Sequence, residues 1–276
     1  MCTECGCGLP GKSPAKISGH DHDHDHDHGH HHHRPHSPHT HDHEHSHEHS
    51  HAGEEPRRNV AIHRAILEKN NRQAERNRGF FHARGLLVLN VLSSPGSGKT
   101  TLIRETIRAL DRRLKTAVIV GDLETDNDAR RLRETSAQAV QITTGTMCHL
   151  EAEMVARAVK QLRLDGVQLL IIENVGNLVC PACYDLGEDL RVVLLSVTEG
   201  EDKPLKYPPM FQSANAAVVS KIDLAPACDY NREVARANLE RTAPAAPIFE
   251  LSAKTGRGME EWCAYLVKEQ LKLAAA

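Results

Sequence analysis

The chain has 276 residues, a formal net charge of -3, 39% hydrophobic residues and only 3% aromatic ones. That length allows one or two globular units with a sizeable core and excludes a peptide hormone or knottin. So few rings, with no basic run interleaved among them, exclude a nucleic-acid stacking platform.

Residues 1–55 carry three Lys/Arg against ten Asp/Glu, and the remainder is mildly basic at 31 against 27. This head has almost no aliphatic side chains, so it cannot offset the entropy of ordering and is expected to be disordered without metal. It opens with CTECGCG, presenting Cys2, Cys5 and Cys7. Three close thiolates suit Zn2+ or Ni2+, and the glycines admit backbone nitrogens to a planar site that favours nickel. Of the 20 histidines, 17 lie between His20 and His51, alternating with Asp, as suits a weakly selective metal store rather than an expression tag. No apolar run approaches the ~18 residues of a membrane span and no secretory h-region opens the sequence. A cytoplasmic protein is expected, its eight cysteines reduced, with the clustered ones serving as metal ligands.

Residues 57–78 read as a polar amphipathic helix leading into the body, within a leading segment 56–79. From residue 80 to 276, short apolar runs alternate with helical patterns. Strands are expected over 86–93, 116–122, 138–143, 167–173, 190–197, 216–221 and 247–252. Helices are expected over 99–113, 130–134, 149–163, 231–241 and from 258. Strands apolar throughout and separated by helices predict an α/β fold, a mostly parallel doubly wound sheet with helices on both faces.

Between the first strand and the first helix lies SSPGSGKT, residues 93–100, a P-loop pattern with Ser93 where the first glycine is expected. Gly96, Ser97 and Gly98 would wrap phosphates with backbone N–H groups, Lys99 would reach the β/γ oxygens, and Thr100, followed by Thr101, would ligate Mg2+. A carboxylate at a neighbouring strand end should share that ion. Glu173, opening ENVG, is one candidate, and Gly176 would offer its N–H to the γ-phosphate. Asp122 in GDLETDNDA is another, with Asp126 and Asp128 nearby; capping of the next helix is the alternative role for Asp122 or Asp126. Base choice rests on SKID, where Asp223 can accept from N1–H and the 2-amino group of guanine while the Lys221 stem covers the ring. Ser252, Ala253 and Lys254 in SAK would complete that pocket, although Ser220 replaces the usual asparagine.

A third ligand set lies inside the body: Cys148 and His149 at the expected start of a helix, and Cys180 in CPAC, with Cys183 open between ligand and ordinary thiol. Seven residues separate Glu173 from Cys180, at most about 25 Å of chain, so an ion on Cys180 would be tied mechanically to the phosphate sensor. Cys228 and Cys263 read as structural, and His63 and His82 as surface histidines without a role.

With these residues in order, the chain resembles the nickel-incorporation GTPase of NiFe hydrogenase maturation, the HypB family, relatives of the urease nickel GTPase. The segments that carry the resemblance are CTECGCG, the His tract, SSPGSGKT, GDLETDNDA, GTMCHLEA, ENVGNLVCPACYDLGE, SKIDLAP and LSAKTG. The resemblance implies a dimeric enzyme that hydrolyses GTP with Mg2+. It implies tight nickel at Cys2, Cys5 and Cys7, and weaker nickel or zinc at Cys148, His149 and Cys180. It also implies delivery into the hydrogenase large subunit with a small zinc-binding partner and, in some relatives, a prolyl-isomerase nickel chaperone. Two competing readings are a nickel reservoir with a regulatory nucleotide domain and an ATP-dependent metal-inserting ATPase.

Overall fold

The computed structural model describes residues 54–123 and 127–275, with side chains from residue 61 onward. Cys2, Cys5, Cys7, the His tract and Asp126 lie outside the described residues. A long helix α1 (Glu54–His82) enters the α/β body. There β1 (Leu87–Leu92), α2 (Lys99–Leu110), β2 (Thr116–Asp122), α3 (Asn127–Arg133), β3 (Gln138–Thr143), α4 (Ala152–Val159) and β4 (Leu169–Glu173) follow in turn. The chain continues through β5 (Leu190–Ser196), α5 (Lys203–Lys206), α6 (Pro208–Gln212), β6 (Ala216–Ser220), α7 (Arg232–Thr242), β7 (Ile248–Glu250) and α8 (Met259–Ala274).

The strands form one seven-stranded sheet in the order β3-β2-β4-β1-β5-β6-β7, and every pairing is parallel. Both faces are covered, which is why β1, β4 and β6 are buried throughout and show no polar alternation. One face packs Leu102, Ile103 and Ile107 of α2 and Trp262 and Leu266 of α8 against Leu89, Val118 and Ile171. Burial of each such aliphatic side chain contributes about 1.5–3 kcal/mol. On the other face Phe81 of α1 and Val155 of α4 cover Val88, Ile119 and Ile172, while Phe211 and Leu239 cover Val193 and Ala217. The sheet's order turns about β1: the chain builds β2 to β4 on one side and β5 to β7 on the other. Crevices at such a turning point, beyond the carboxyl ends of the strands, hold ligands in α/β sheets.

Several sequence expectations need correction. Helix α4 begins at Ala152 and not at residue 149, because Glu151 is extended (φ -110°) and side chains take up the N–H groups at this entrance. Asn70 Oδ1 accepts from Ala152 N at 2.9 Å, and Asn174 Oδ1 accepts from Leu150 N at 3.4 Å. Cys148 and His149 therefore sit in a turn ahead of the helix. Two short helices, α5 and α6, lie between β5 and β6 where no helix is expected from the sequence, with Pro204, Pro208 and Pro209 in their first turns, a position that suits proline. His82 is paired, its Nε2 lying 2.6 Å from Asp189 Oδ1. Cys263 is buried as expected of a structural thiol, but Cys228 is exposed.

Candidate functional site

Every phosphate- and base-site candidate within the described residues falls at one edge of the sheet, where the carboxyl ends of β1, β2, β4, β6 and β7 meet. Gly96 and Gly98 have φ of 73° and 97°, a region costly for residues with a side chain, so the loop's turns need glycine there. Lys99 opens α2 and is buried. Desolvation pulls its pKa down, countered first by Glu173 and then by Asp128, Glu199 and Asp122. Ser93, the departure from the usual glycine, is fully buried, and its Oγ accepts from Lys99 Nζ at 2.9 Å and from Ser97 Oγ. The serine thus holds the lysine within the loop.

Thr100 Oγ1 donates to Glu173 Oε1 at 2.7 Å, which brings together the two groups read as Mg2+ ligands. The Glu173 carboxyl is pushed up to about 7, mainly by burial, and its Oε2 has no hydrogen-bond partner. A hydroxyl, a carboxylate and an unsatisfied buried oxygen fit a hard, oxygen-preferring cation such as Mg2+, which would neutralise charge on a bound phosphate chain. Asp122 ends β2, beside β4, and both Asp122 and Asp128 act on Glu173, Asp128 the more strongly. Gly176 is half-buried, and a Cβ there would meet Pro95 Cα at 2.9 Å and Pro95 N at 3.0 Å. The segment after Glu173 is therefore seated directly on the phosphate loop.

On the other side of β1, Ser220 Oγ donates to Ser97 O at 2.8 Å and Lys221 Nζ donates to Gly96 O at 2.6 Å. Ser220 thus ties the base motif to the phosphate loop from the position of the usual asparagine. Lys221 has φ 60°. Asp223 is exposed in the 3-10 segment Ile222–Cys228. Parallel pairing of β6 with β7, and Ile222 N donating to Leu251 O at 3.3 Å, bring Ser252, Ala253 and Lys254 alongside SKID. The sequence reading missed Glu199, at the end of the 3-10 turn after β5. Burial raises its pKa and Ser94 of the phosphate loop is beside it. The rule that placed Glu173, a carboxylate at a strand end, extended by three residues past the end of β5, could have found it.

Cys148, His149 and Cys180 lie together, with candidate ligand atoms all within 4.8 Å of one another. Zn–S and Zn–N bonds of about 2.3 and 2.0 Å would need only a small contraction of this triad. His149 is 2% exposed, and burial lowers its pKa, which keeps the imidazole neutral and available as a ligand. Neither ring nitrogen has a hydrogen-bond partner. The nearest anion, Glu151 Oε1, is 3.9 Å from Nε2, and the ring stacks on Tyr184 at 3.9 Å. An unsatisfied buried imidazole beside two thiols fits a soft or borderline cation, and three donors leave a fourth position open. Cys183 is exposed and outside the triad.

Residues 87–250 match the family model of the CobW/HypB/UreG nucleotide-binding domain. The hydrogenase maturation factor HypB of Azotobacter chroococcum is 53% identical over 214 residues, covering 77% of this chain and 70% of that protein. The chain belongs to the HypB family of GTPases. The Escherichia coli K12 HypB is 50% identical, with 78% of this chain and 74% of the relative covered. A crystal structure of Helicobacter pylori HypB in complex with nickel superposes with a TM-score of 0.71 at 42% identity, covering 74% of this chain and 96% of that one. The HypB of Archaeoglobus fulgidus superposes at 0.69 with 39% identity, covering 74% and 99%. Among the described residues of this HypB-family chain, no helix is long and apolar enough to cross a membrane.

Proposed function

We propose that this chain binds Mg-GTP at residues 93–100, hydrolyses it to GDP and phosphate, and uses the cycle to gate nickel delivery into a NiFe hydrogenase large subunit. Lys99 and the phosphate-loop N–H groups stabilise charge on the phosphates. Thr100 and Glu173, with Asp122 beside them, would hold Mg2+, and Gly176 faces the γ-phosphate. Lys221, Asp223, Ser252, Ala253 and Lys254 surround guanine. With no arginine finger or water-orienting glutamine assigned, turnover is slow. Nickel, the cargo, occupies Cys148, His149 and Cys180, a set that would also take zinc. Residues 1–55 act as a metal-binding tail, with Cys2, Cys5 and Cys7 as a tight site and the His tract as a store, ahead of a GTPase domain over 80–276. A homodimer, a small zinc-binding maturation partner and a prolyl-isomerase chaperone complete the expected assembly.

What supports this reading above all is that the candidate metal triad is built on the loops leaving β3 and β4, and that the second of these follows directly on Glu173 and rests Gly176 on Pro95. Relatives named as hydrogenase maturation factors, and one crystallised with nickel, support nickel as the cargo and a hydrogenase as its destination. The test uses full-length protein carrying Cys2→Ser, Cys5→Ser and Cys7→Ser, so that thiolate-to-nickel charge-transfer absorption reports the internal site. Lys99→Ala should abolish GTP hydrolysis and keep that absorption, and the double variant Cys148→Ala/Cys180→Ala should do the reverse. Hydrolysis that survives Lys99→Ala, or absorption that survives Cys148→Ala/Cys180→Ala, contradicts the reading.

A further inference from the structure

Asn90 is the one polar residue in β1, LVLNVL, and it is fully buried. A buried amide in a central strand is costly unless its donors and acceptors are met. Its Oδ1 accepts from Asn174 Nδ2 at 3.1 Å and its Nδ2 donates to Glu188 Oε1 at 3.1 Å. Asn174 immediately follows Glu173, and its Oδ1 accepts from Leu150 N, next to His149, and from Val175 N. Glu188 is also buried. Its Oε2 accepts from Leu186 N at 2.7 Å and its Oε1 accepts from Arg191 Nε at 2.7 Å. The Arg191 guanidinium then donates to Ala182 O at 2.9 Å, inside the turn that carries Cys180, and to Tyr184 O at 2.8 Å. Tyr184 is the residue whose ring stacks on His149.

One continuous chain of hydrogen bonds therefore begins beside Glu173 and reaches both halves of the candidate metal triad. Asn174 touches the Cys148/His149 turn directly, and Arg191 grips the Cys180 turn from behind. We propose that Asn90, Glu188 and Arg191 are positioning residues that couple nucleotide state to ion affinity. Movement of the Glu173–Gly176 segment on loss of the γ-phosphate pulls on Asn174, and the network passes the displacement to Ala182 and Tyr184. Because Asn90, Asn174 and Glu188 are buried and bonded to one another through Asn90, a displaced Asn174 must carry its partners along or leave them unsatisfied, and that favours two discrete arrangements. The inference rests on the proposed function and adds to it the residues through which the two sites communicate.

The test is a nickel titration of the full-length Cys2/Cys5/Cys7→Ser protein, followed by thiolate-to-nickel absorption, with GDP or a non-hydrolysable GTP analogue. The parent should show nickel affinities that differ between the two nucleotides by about fivefold or more. Arg191→Lys keeps a cation on Glu188 but cannot reach both carbonyls; Asn90→Val removes the central link. In each, the ratio between nucleotides should fall to within about twofold of unity, while Mg-dependent hydrolysis without nickel and nickel binding without nucleotide persist. A merely structural role would weaken affinity with both nucleotides and preserve the ratio, and that result overturns the proposal. Should Asn90→Val fail to fold, Arg191→Lys decides alone. A parent ratio of one also overturns it, yet leaves GTP hydrolysis and nickel binding standing.

Discussion

Thr100 and Glu173, 73 residues apart in sequence, share a 2.7 Å hydrogen bond across the gap between α2 and β4. The hydroxyl and the carboxyl stand where the phosphate loop meets the segment leading to Cys180, and this adjacency underlies the first prediction. Burial raises the Glu173 pKa to about 7 from 4.5, against the pull of Thr100 and Lys99. Between those values the native group holds a proton that the unfolded chain has lost. Its contribution to nucleotide-free stability is thus full below pH 4.5 and is lost as pH rises through about 7. Mg2+ requires the ionised form, so Mg-nucleotide binding below pH 7 should release on the order of one proton, fading above neutrality. Calorimetry in buffers of different ionisation enthalpy measures this, and Glu173→Gln should remove it.

Gly176→Ala places a Cβ 2.9 Å from Pro95 Cα, and backbone must give way. Such overpacking costs about 1–3 kcal/mol, and here it falls on the contact between the sensor segment and the phosphate loop. The expected outcome is GTP hydrolysis slowed by about tenfold or more with the fold retained, read from steady-state phosphate release and circular dichroism.

Ser220→Ala removes the donor to Ser97 O and should cost about 1 kcal/mol, weakening guanine nucleotide binding roughly fivefold. Asp223→Asn, by contrast, should erode discrimination between GTP and ATP, because one of the two carboxylate oxygens proposed to accept from the guanine N1–H and amino group becomes a donor NH2. Competition binding with the two purine nucleotides separates these effects.

His149→Phe keeps a ring for Tyr184 to stack on and removes two buried nitrogens that have no hydrogen-bond partner. Unsatisfied buried groups cost about 1–3 kcal/mol each, so metal-free protein should melt no lower than the parent. The rise in Tm on adding nickel, measured in the Cys2/Cys5/Cys7→Ser background, should shrink. A metal-free variant that melts far lower would assign the imidazole a structural role.

Much of this architecture was legible in the sequence because the central strands are short apolar runs and each site motif follows a strand. Parallel order brings all strand ends to a single edge, so SSPGSGKT, Glu173, SKID and SAK converge by topology alone. The triad was legible as residue types; its closeness in one chain was not, because it depends on Asn70 and Asn174 ending the turn before α4. Asn90 left a visible mark, a lone amide in an apolar strand, but its partners Asn174 and Glu188 lie 84 and 98 residues away and follow no local period. The departures Ser93 and Ser220 read as weaknesses in sequence, yet in the fold each hydroxyl bonds within the phosphate loop or to it.

The most direct test of the account is a single-turnover experiment in which phosphate release and thiolate-to-nickel absorption from Cys148 and Cys180 are recorded together in nickel-loaded Cys2/Cys5/Cys7→Ser protein. The absorption should change with the same rate constant as phosphate release and remain unchanged in Lys99→Ala. A metal signal that stays flat through complete hydrolysis would show that the triad does not respond to the nucleotide, and would contradict the account.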